Sequence, residues 1–274
     1  MEELLTREFA YDVATFERAR SMLCALAGLR LGENKGELVY NRLARRMRRL
    51  RIPDFGSYFR LVESNAEERR EFVNALTTNI TAFFREPHHV DTIAARARAW
   101  TKPRPMRVWS AACSTGEEPY SIAMALCDVA RTRRFSFEIV GTDLDSDVLA
   151  KAARGVYEIE KASKIPASLR GEYVERGVGS RNGFCRVRPD VAERVRFFQM
   201  NLLERKWPSF GTFDAIFVRN VLIYFGRDEQ RRVIAHMHGL LEPDGMLCTG
   251  HAESLFYASD LFRVQGRTTY GRVS

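Results

Sequence analysis

The sequence predicts an α/β fold: a mostly parallel sheet covered by helices on both faces, preceded by a small all-α domain and interrupted by a small antiparallel β-subdomain. Three observations predict it. From residue 106 onward, short β-branched or apolar runs alternate with segments of helical periodicity. Residues 1 to 76 carry helical spacing alone. Between about 156 and 200 the alternation breaks around a glycine-rich turn, GVGSRNG.

The helical domain divides at Gly32, Pro53 and Asn65 into segments Ala14 to Ala27, Gly36 to Leu50, Phe55 to Val62 and Glu67 to Leu76. The second contains NRLARRMRRLR. Its Leu43, Met47 and Leu50 form an apolar seam, and Arg42, Arg45, Arg46, Arg48, Arg49 and Arg51 form an arginine-rich face expected to be exposed. Such a face either aids solubility or docks something acidic, a phosphate backbone or an acidic protein helix. The net charge of +8 over 274 residues does not choose between them.

Residues 77 to 103 connect this domain to the sheet. TTNITAFFREPHHV is too polar at Thr77, Thr78, Asn79 and Thr81 for a simple core helix, and Pro87 marks a helix start. TKPRP is a rigid break. Strands then fall near 106–110, 137–142, 213–218 and 245–250, with helices at 117–131, 145–154 and 227–241. The runs FCRVR and VRFFQ are expected to form the inserted hairpin or small sheet. LFRVQGRTTYGRVS is expected as a terminal hairpin closing the sheet edge.

VWSAACSTGEEPYSIAMAL supplies the chemistry. Strand, small-residue loop and helix start form the ligand crevice of a doubly wound, Rossmann-like sheet. A phosphate cradle needs bare N–H groups, and Glu117 and Glu118 would repel the anion. A ligand bearing an amine or sulfonium would be welcomed, which points to S-adenosylmethionine. Asp143, at the tip of the second strand, is the expected acceptor of ribose hydroxyls, with a helix cap as its other role. Dinucleotide binding is the rival, weakened by the absence of GxGxxG.

Hydrophobic content of 45% and charged content of 28% suit a soluble globular protein. No apolar run approaches the roughly 20 residues of a membrane span, and the acidic N-terminus lacks a secretory core, so a cytoplasmic protein without membrane insertion is expected. The five cysteines lack CxxC spacing and are expected as free thiols, with Cys113 filling a tight turn. His236 and His238 fall on different helix faces, and no metal site is expected. No amine-methylation or catalytic-cysteine motif of a nucleic-acid methyltransferase is present, so no nucleic-acid partner is expected.

Six motifs in one order, NITAFFREPHH, AACSTGEEPYSIAM, TDLDSDVLAKAARGVY, NLL, FDAIFVRNVLIYF and GMLCTGHAESL, resemble the CheR family of chemotaxis receptor glutamate O-methyltransferases. The resemblance spans nearly the whole chain. It implies a methyltransferase domain over 104–274, a connector at 77–103 contributing to the cofactor pocket, and a receptor-docking domain at 1–76. S-adenosylmethionine is the implied methyl donor and S-adenosylhomocysteine the product. The implied substrates are glutamates on the cytoplasmic helices of chemoreceptors, to whose membrane arrays the protein would be recruited. A non-catalytic S-adenosylmethionine-binding adaptor is the alternative.

Carried over motif by motif, Asn79, Thr81 and Arg85 line the cofactor pocket, Glu117 meets the methionine amine and Asp143 the ribose. Asn201 and Leu202 hold the adenine side, and Arg219 and Asn220 close the end of the fourth strand. Arg85 and Tyr224 are implied beside the transferred methyl, and Arg42, Arg45, Arg46 and Arg49 as the receptor-docking face. Gly177, Gly179 and Gly183 fit the pattern of members that bind a receptor C-terminal pentapeptide, with Arg181, Arg186 and Arg188 facing its acidic groups. A glutamate nucleophile is already ionised at neutral pH, so no general base is expected.

Overall fold

The computed structural model describes residues 7–273. They divide into two compact units, one running to Thr78 and including Tyr224–Gly226, the other comprising Asn79–Ile223 and the chain from Arg227 onward.

The first unit holds α1 (Val13–Ala27), α2 (Gly36–Leu50), α3 (Phe55–Ser64) and α4 (Ala66–Leu76). Three of the four begin where a short polar side chain satisfies orphan N–H groups. Asp12 accepts from Thr15 N–H at 2.8 Å, Asp54 from Ser57 N–H at 2.7 Å, and Asn65 from Glu67 and Glu68 at 2.8 and 3.0 Å. Leu23, Val39, Leu43, Met47, Tyr58, Phe59, Val62 and Phe72 are fully buried between the helices. Each such large side chain stabilises by roughly 2 kcal/mol.

The second unit begins with α5 (Pro87–Arg98), followed by β1 (Met106–Ala111), α6 (Glu117–Thr132), β2 (Phe137–Asp143) and α7 (Ser146–Arg154). The insertion carries β3 (Val156–Glu158), α8 (Ala167–Tyr173), β4 (Val174–Arg176), β5 (Phe184–Val187) and the short α9 (Pro189–Ala192). The sheet resumes with β6 (Val195–Gln199) and β7 (Phe213–Val218), then α10 (Arg227–Leu240), β8 (Leu241–Thr249), β9 (Phe262–Gly266) and β10 (Thr269–Arg272).

Seven strands form the main sheet in the order β6-β2-β1-β7-β8-β10-β9. Strands β6, β2, β1, β7 and β8 are mutually parallel, and β10 runs antiparallel to both β8 and β9. The terminal hairpin thus closes one edge, as expected. Every residue of β7 is buried, as in a central strand covered on both faces, and its one polar residue, Asp214, is paired with Arg104. From β1 the chain moves outward to β2 and β6, then crosses back to β7 on the other side of β1, and this reversal opens the ligand crevice at the carboxyl end of β1.

One expectation is corrected here. VRFFQ is not part of the insertion's sheet: as β6 it pairs in parallel with β2, Ile139 opposite Val195. The inserted sheet is β3-β5-β4, with FCRV as the central strand. On β5 Cys185 and Val187 turn inward and on β3 Tyr157 does, so the alternation of the inserted strands is short. VRFFQ shows the same mixed pattern because it is an edge strand, buried at Val195 and exposed at Phe198.

Candidate active site

The loop after β1 is held in a conformation few sequences adopt. Ala112, Ser114 and Gly116 have φ of 58°, 51° and 91°. At Gly116 a Cβ would lie 2.8 Å from Cβ of Ala152, so only glycine lets α6 start this close to α7. The turn aims the Ser114 N–H at Asp143, whose Oδ2 accepts at 2.8 Å while Oδ1 accepts from Asp145 N–H at 2.9 Å.

Asp143 is therefore fixed at the tip of β2, nearly buried, with each oxygen taking one backbone donor. Burial pushes its pKa up to about 6 despite those bonds. Lone pairs remain on both oxygens, and an under-compensated carboxylate suits two added hydroxyl donors. A ribose diol fits that demand. The loop beyond β6 arrives at the same tip: Met200 N–H donates to the Asp143 carbonyl at 2.9 Å, and Asn201 Oδ1 accepts from Leu203 N–H at 2.9 Å. Leu202 beside it is buried.

The connector reaches this crevice. Asn79 Nδ2 donates to Asp145 Oδ2 at 2.8 Å, and its carbonyl accepts from Ser114 Oγ at 3.0 Å. Phe83 packs edge-on against Tyr157 at 4.9 Å, and Phe84 N–H donates to Ser121 Oγ on α6 at 2.9 Å. Thr81 is half-buried between these anchors. Arg85 is exposed, its Nη1 donating to the Ile80 carbonyl at 3.0 Å.

The two carboxylates at the start of α6 part company. Glu117 is fully buried and takes hydrogen bonds from Thr115 Oγ1 at 2.6 Å and Lys161 Nζ at 2.7 Å. Glu118 accepts from Ser110 Oγ at 2.7 Å and from Arg219 Nη1 at 2.8 Å. Arg219, buried at the end of β7, also donates through Nη2 to the Arg85 carbonyl at 2.5 Å. Asn220 turns the chain with φ of 60°, and its N–H meets Glu253 Oε2 at 2.6 Å. Glu253 also accepts from Leu222 and Gly250 N–H at 2.8 and 2.7 Å, pinning the loops after β7 and β8 together.

Asn79, Arg85, Glu117, Asp143, Asn201, Leu202, Arg219 and Asn220 thus gather at or beside the carboxyl ends of β1, β2, β6 and β7. Lys161 and Glu253 belong with them, although the sequence did not single them out. No spacing links Lys161 to Glu117, and Glu253 lies in the GMLCTGHAESL motif, where nothing local marks it as the acceptor of backbone N–H groups from another loop. Tyr224 belongs to the helical unit, where its carbonyl accepts from Arg30 N–H at 2.9 Å. Cys113 is buried, and burial with the nearby Asp143 charge pushes its thiol pKa well up, which suits a space-filling role.

Two expected docking arginines have internal work. Arg46 forms a bidentate pair with the buried Glu68 at 2.9 and 2.7 Å and a second pair with Glu71 at 2.8 Å. Arg42 donates to the Ala75 carbonyl at 3.2 Å and to the Thr77 carbonyl, covering the end of α4. The correction is physical: both lie flush against α4, so the exposed face of α2 is Arg45 and Arg49, with Arg48 paired to Glu8. On the small sheet Arg186 pairs with Glu175 at 2.7 Å and Arg188 with Asp190 at 3.5 Å. The exposed Arg181 side chain has no ion-pair partner among the described residues. A Cβ at Gly177 would meet the Arg181 carbonyl oxygen at 2.1 Å, while Gly179 and Gly183 have φ of 59° and 87°.

Comparison with known proteins places this geometry. The family model described as CheR methyltransferase, SAM binding domain, matches residues 79–271, and that of the CheR methyltransferase all-alpha domain matches residues 14–77. The chain is similar to chemotaxis protein methyltransferase 2 of Pseudomonas aeruginosa, 44% identical over 265 residues, covering 96% of this chain and 95% of that one. It is also similar to the chemotaxis protein methyltransferase of Escherichia coli K12, 42% identical over 268 residues, covering 97% and 93%.

Proposed function

The chain belongs to the CheR methyltransferase family, and we propose that it methylates glutamate side chains on the cytoplasmic helices of chemoreceptors. Its cofactor is S-adenosylmethionine, and its activity is that of a methyltransferase of chemotaxis.

When bound, S-adenosylmethionine supplies an electrophilic methyl on a sulfonium. Asp143 accepts the ribose hydroxyls, Asn79 braces the pocket through Asp145, and Asn201 and Leu202 border the adenine side. Arg219 and Asn220 shape the loop after β7. The acceptor carboxylate needs no base. A carboxylate oxygen forms the bond to the methyl carbon as the sulfur–methyl bond breaks, leaving the ester and S-adenosylhomocysteine.

The observation that carries the glutamate reading is Arg85. It is an exposed guanidinium whose backbone is fixed by Arg219 beside an otherwise acidic crevice. That arrangement suits an anionic acceptor, which the surrounding carboxylates would otherwise repel. Orientation by such a clamp supplies several kcal/mol towards the barrier. The family resemblance also gives Tyr224 a role in orienting the carboxylate or pressing on the methyl and sulfur.

Receptor engagement is assigned to Arg45 and Arg49 on α2, which face solvent. The turn at Gly177, Gly179 and Gly183 with Arg181, next to the edge strand β4, is assigned to the receptor's C-terminal pentapeptide. Such a tether would raise the local substrate concentration and hold the enzyme at receptor arrays.

Methyl-labelled S-adenosylmethionine incubated with receptor cytoplasmic fragments tests this reading. Base-labile label on receptor glutamates is the expected result. Tight cofactor and receptor binding without label would make the protein an adaptor instead.

A further inference from the structure

The methyl-transfer site leaves unused a cluster at the start of α5. Glu86, His88 and His89 each bring one ligand-type atom to within 4.8 Å of the others. Glu86 Oε2 lies 3.7 Å from His89 Nδ1 and 3.9 Å from Nε2 of His251, in the loop after β8. The ring of His251 stacks on that of His88, centroids 5.4 Å apart.

Two of these atoms are left without a hydrogen bond. His89 is completely buried, yet its Nδ1 forms no hydrogen bond among the described residues, and Glu86 Oε2 forms none either, with Arg219 Nη2 only an ion-pair neighbour at 3.4 Å. The other ring nitrogen, Nε2, lies 2.9 Å from Thr268 Oγ1, which fixes the ring with Nδ1 turned towards the carboxylate. Buried polar atoms with no partner are uncommon, and an ion unaccounted for is one of the few explanations.

We propose that Glu86, His88 and His89, completed by His251, bind a divalent transition-metal ion of the zinc type. Imidazoles with one carboxylate suit Zn²⁺ or Co²⁺, whereas Mg²⁺ and Ca²⁺ take mainly oxygen ligands. Bonds of about 2.1 Å in a tetrahedron put ligand atoms roughly 3.4 Å apart. The separations of 3.7 and 3.9 Å are only a few tenths longer.

One contact opposes the ion: Arg219 Nη2 lies 3.4 Å from the same Glu86 oxygen. Arg219 keeps Glu118 and the Arg85 carbonyl if Glu86 turns away, so its guanidinium gives up one of three partners and retains two. The backbone N–H of His251 stays on Glu86 Oε1 at 3.4 Å. The ion would clasp the start of α5 to the loop after β8. It takes no part in methyl transfer and does not depend on which substrate is methylated.

The test uses the full chain, stripped with chelator and titrated with ZnCl₂ by calorimetry. One saturable equivalent is expected, and CoCl₂ should give the visible bands of a four-coordinate nitrogen and oxygen site without sulfur-to-metal charge transfer. His88→Ala and Glu86→Gln should each weaken Zn²⁺ binding at least tenfold. Cys24→Ser, at the exposed cysteine, should leave it unchanged. Zn²⁺ should also raise the Tm of the parent protein but not of the two ligand variants, whose metal-free melting curves report that they fold. Absence of saturable binding, binding unchanged in both ligand variants, or binding abolished by Cys24→Ser each overturns the site.

Discussion

Lys161 Nζ sits 2.7 Å from Glu117 Oε1, so a cation from the inserted subdomain already occupies the carboxylate that the family resemblance gives to the cofactor's amine. Glu117 is fully buried, while the Lys161 side chain is 44% exposed. The lysine therefore holds the pocket's charge balance in the free protein and stands as a competitor for the incoming ammonium.

Replacing Lys161 with Met should then have two opposite effects. The free protein should lose about 1–2 kcal/mol, because a buried carboxylate loses its partner while the exposed lysine gives up only a screened charge. Affinity for S-adenosylhomocysteine, which bears the same ammonium, should rise several-fold. Melting curves with and without ligand, together with calorimetry, read both quantities. A weaker affinity in K161M would make Lys161 a support of the site and not a competitor.

Asp143 makes cofactor binding depend on pH. Burial pushes its pKa up to about 6, whereas the unfolded carboxyl titrates near 4, as an ordinary aspartate does. The folded state thus binds more protons between these values. Stability from this group is complete below about pH 4 and is lost as pH rises through about 6. On the proposed role of Asp143, cofactor binding runs the other way, because ribose hydroxyls would donate to the ionised form. The Kd for S-adenosylhomocysteine should weaken as pH falls below about 6, by at most tenfold per pH unit. Asp143→Asn should bind at least tenfold more weakly and lose that slope. A slope that survives in D143N would assign the titration to another group.

Much of this could be read from residue order, and the reason is local. Breaks at Gly32, Pro53 and Asn65 act within a few positions, so the helices of the first unit are legible to within about two residues at each end. The loop Ser110 to Gly116 and Asp143 carry their chemistry in the same way, one strand tip at a time. Partners far apart in the chain leave no such trace. Nothing in NRLARRMRRLR distinguishes Arg46, which faces Glu68, from Arg45, which faces solvent, because the two differ by one step around the helix. VRFFQ is ambiguous for a related reason: strand propensity says that a segment pairs, but not with which neighbour.

Arg85 tests the assignment of chemistry as opposed to binding. Its side chain makes one hydrogen bond, to the Ile80 carbonyl, and is otherwise exposed. Arg85→Ala should reduce kcat for receptor methylation by about a hundredfold or more, on the order of 3 kcal/mol of lost positioning. Affinity for S-adenosylhomocysteine should change by less than about fivefold. Steady-state methylation assays with calorimetry separate the two. A matching loss in both would place Arg85 among the cofactor ligands alone.

The arginine helix gives a contrast between neighbouring positions. Arg45 and Arg49 are exposed, so reversing both to Glu should leave the Tm within about 1–2 °C while weakening receptor-fragment binding about tenfold or more. Arg46→Ala should instead destabilise by about 3 kcal/mol, because Glu68 is buried and would keep only the Tyr58 hydroxyl at 2.9 Å. Denaturant melts and surface-binding measurements with receptor fragments distinguish the outcomes. Receptor binding indifferent to R45E/R49E would remove α2 as the docking face.

Gly177 tests the tether apart from the catalytic unit. A Cβ there would lie 2.1 Å from the Arg181 carbonyl oxygen, so Gly177→Ala must open the turn and shift Arg181. The turn lies between β4 and β5, and the distortion should stay within that three-stranded sheet, since β6 returns separately to the main one. Binding of a receptor C-terminal pentapeptide should therefore fall at least tenfold, while affinity for S-adenosylhomocysteine holds. Methylation should slow for receptors carrying the pentapeptide and stay constant for receptors lacking it, because a tether changes local concentration and not the reaction itself. Equal slowing on both substrates would locate the defect in the catalytic unit, and no slowing on either would leave the glycine turn with a purely structural role.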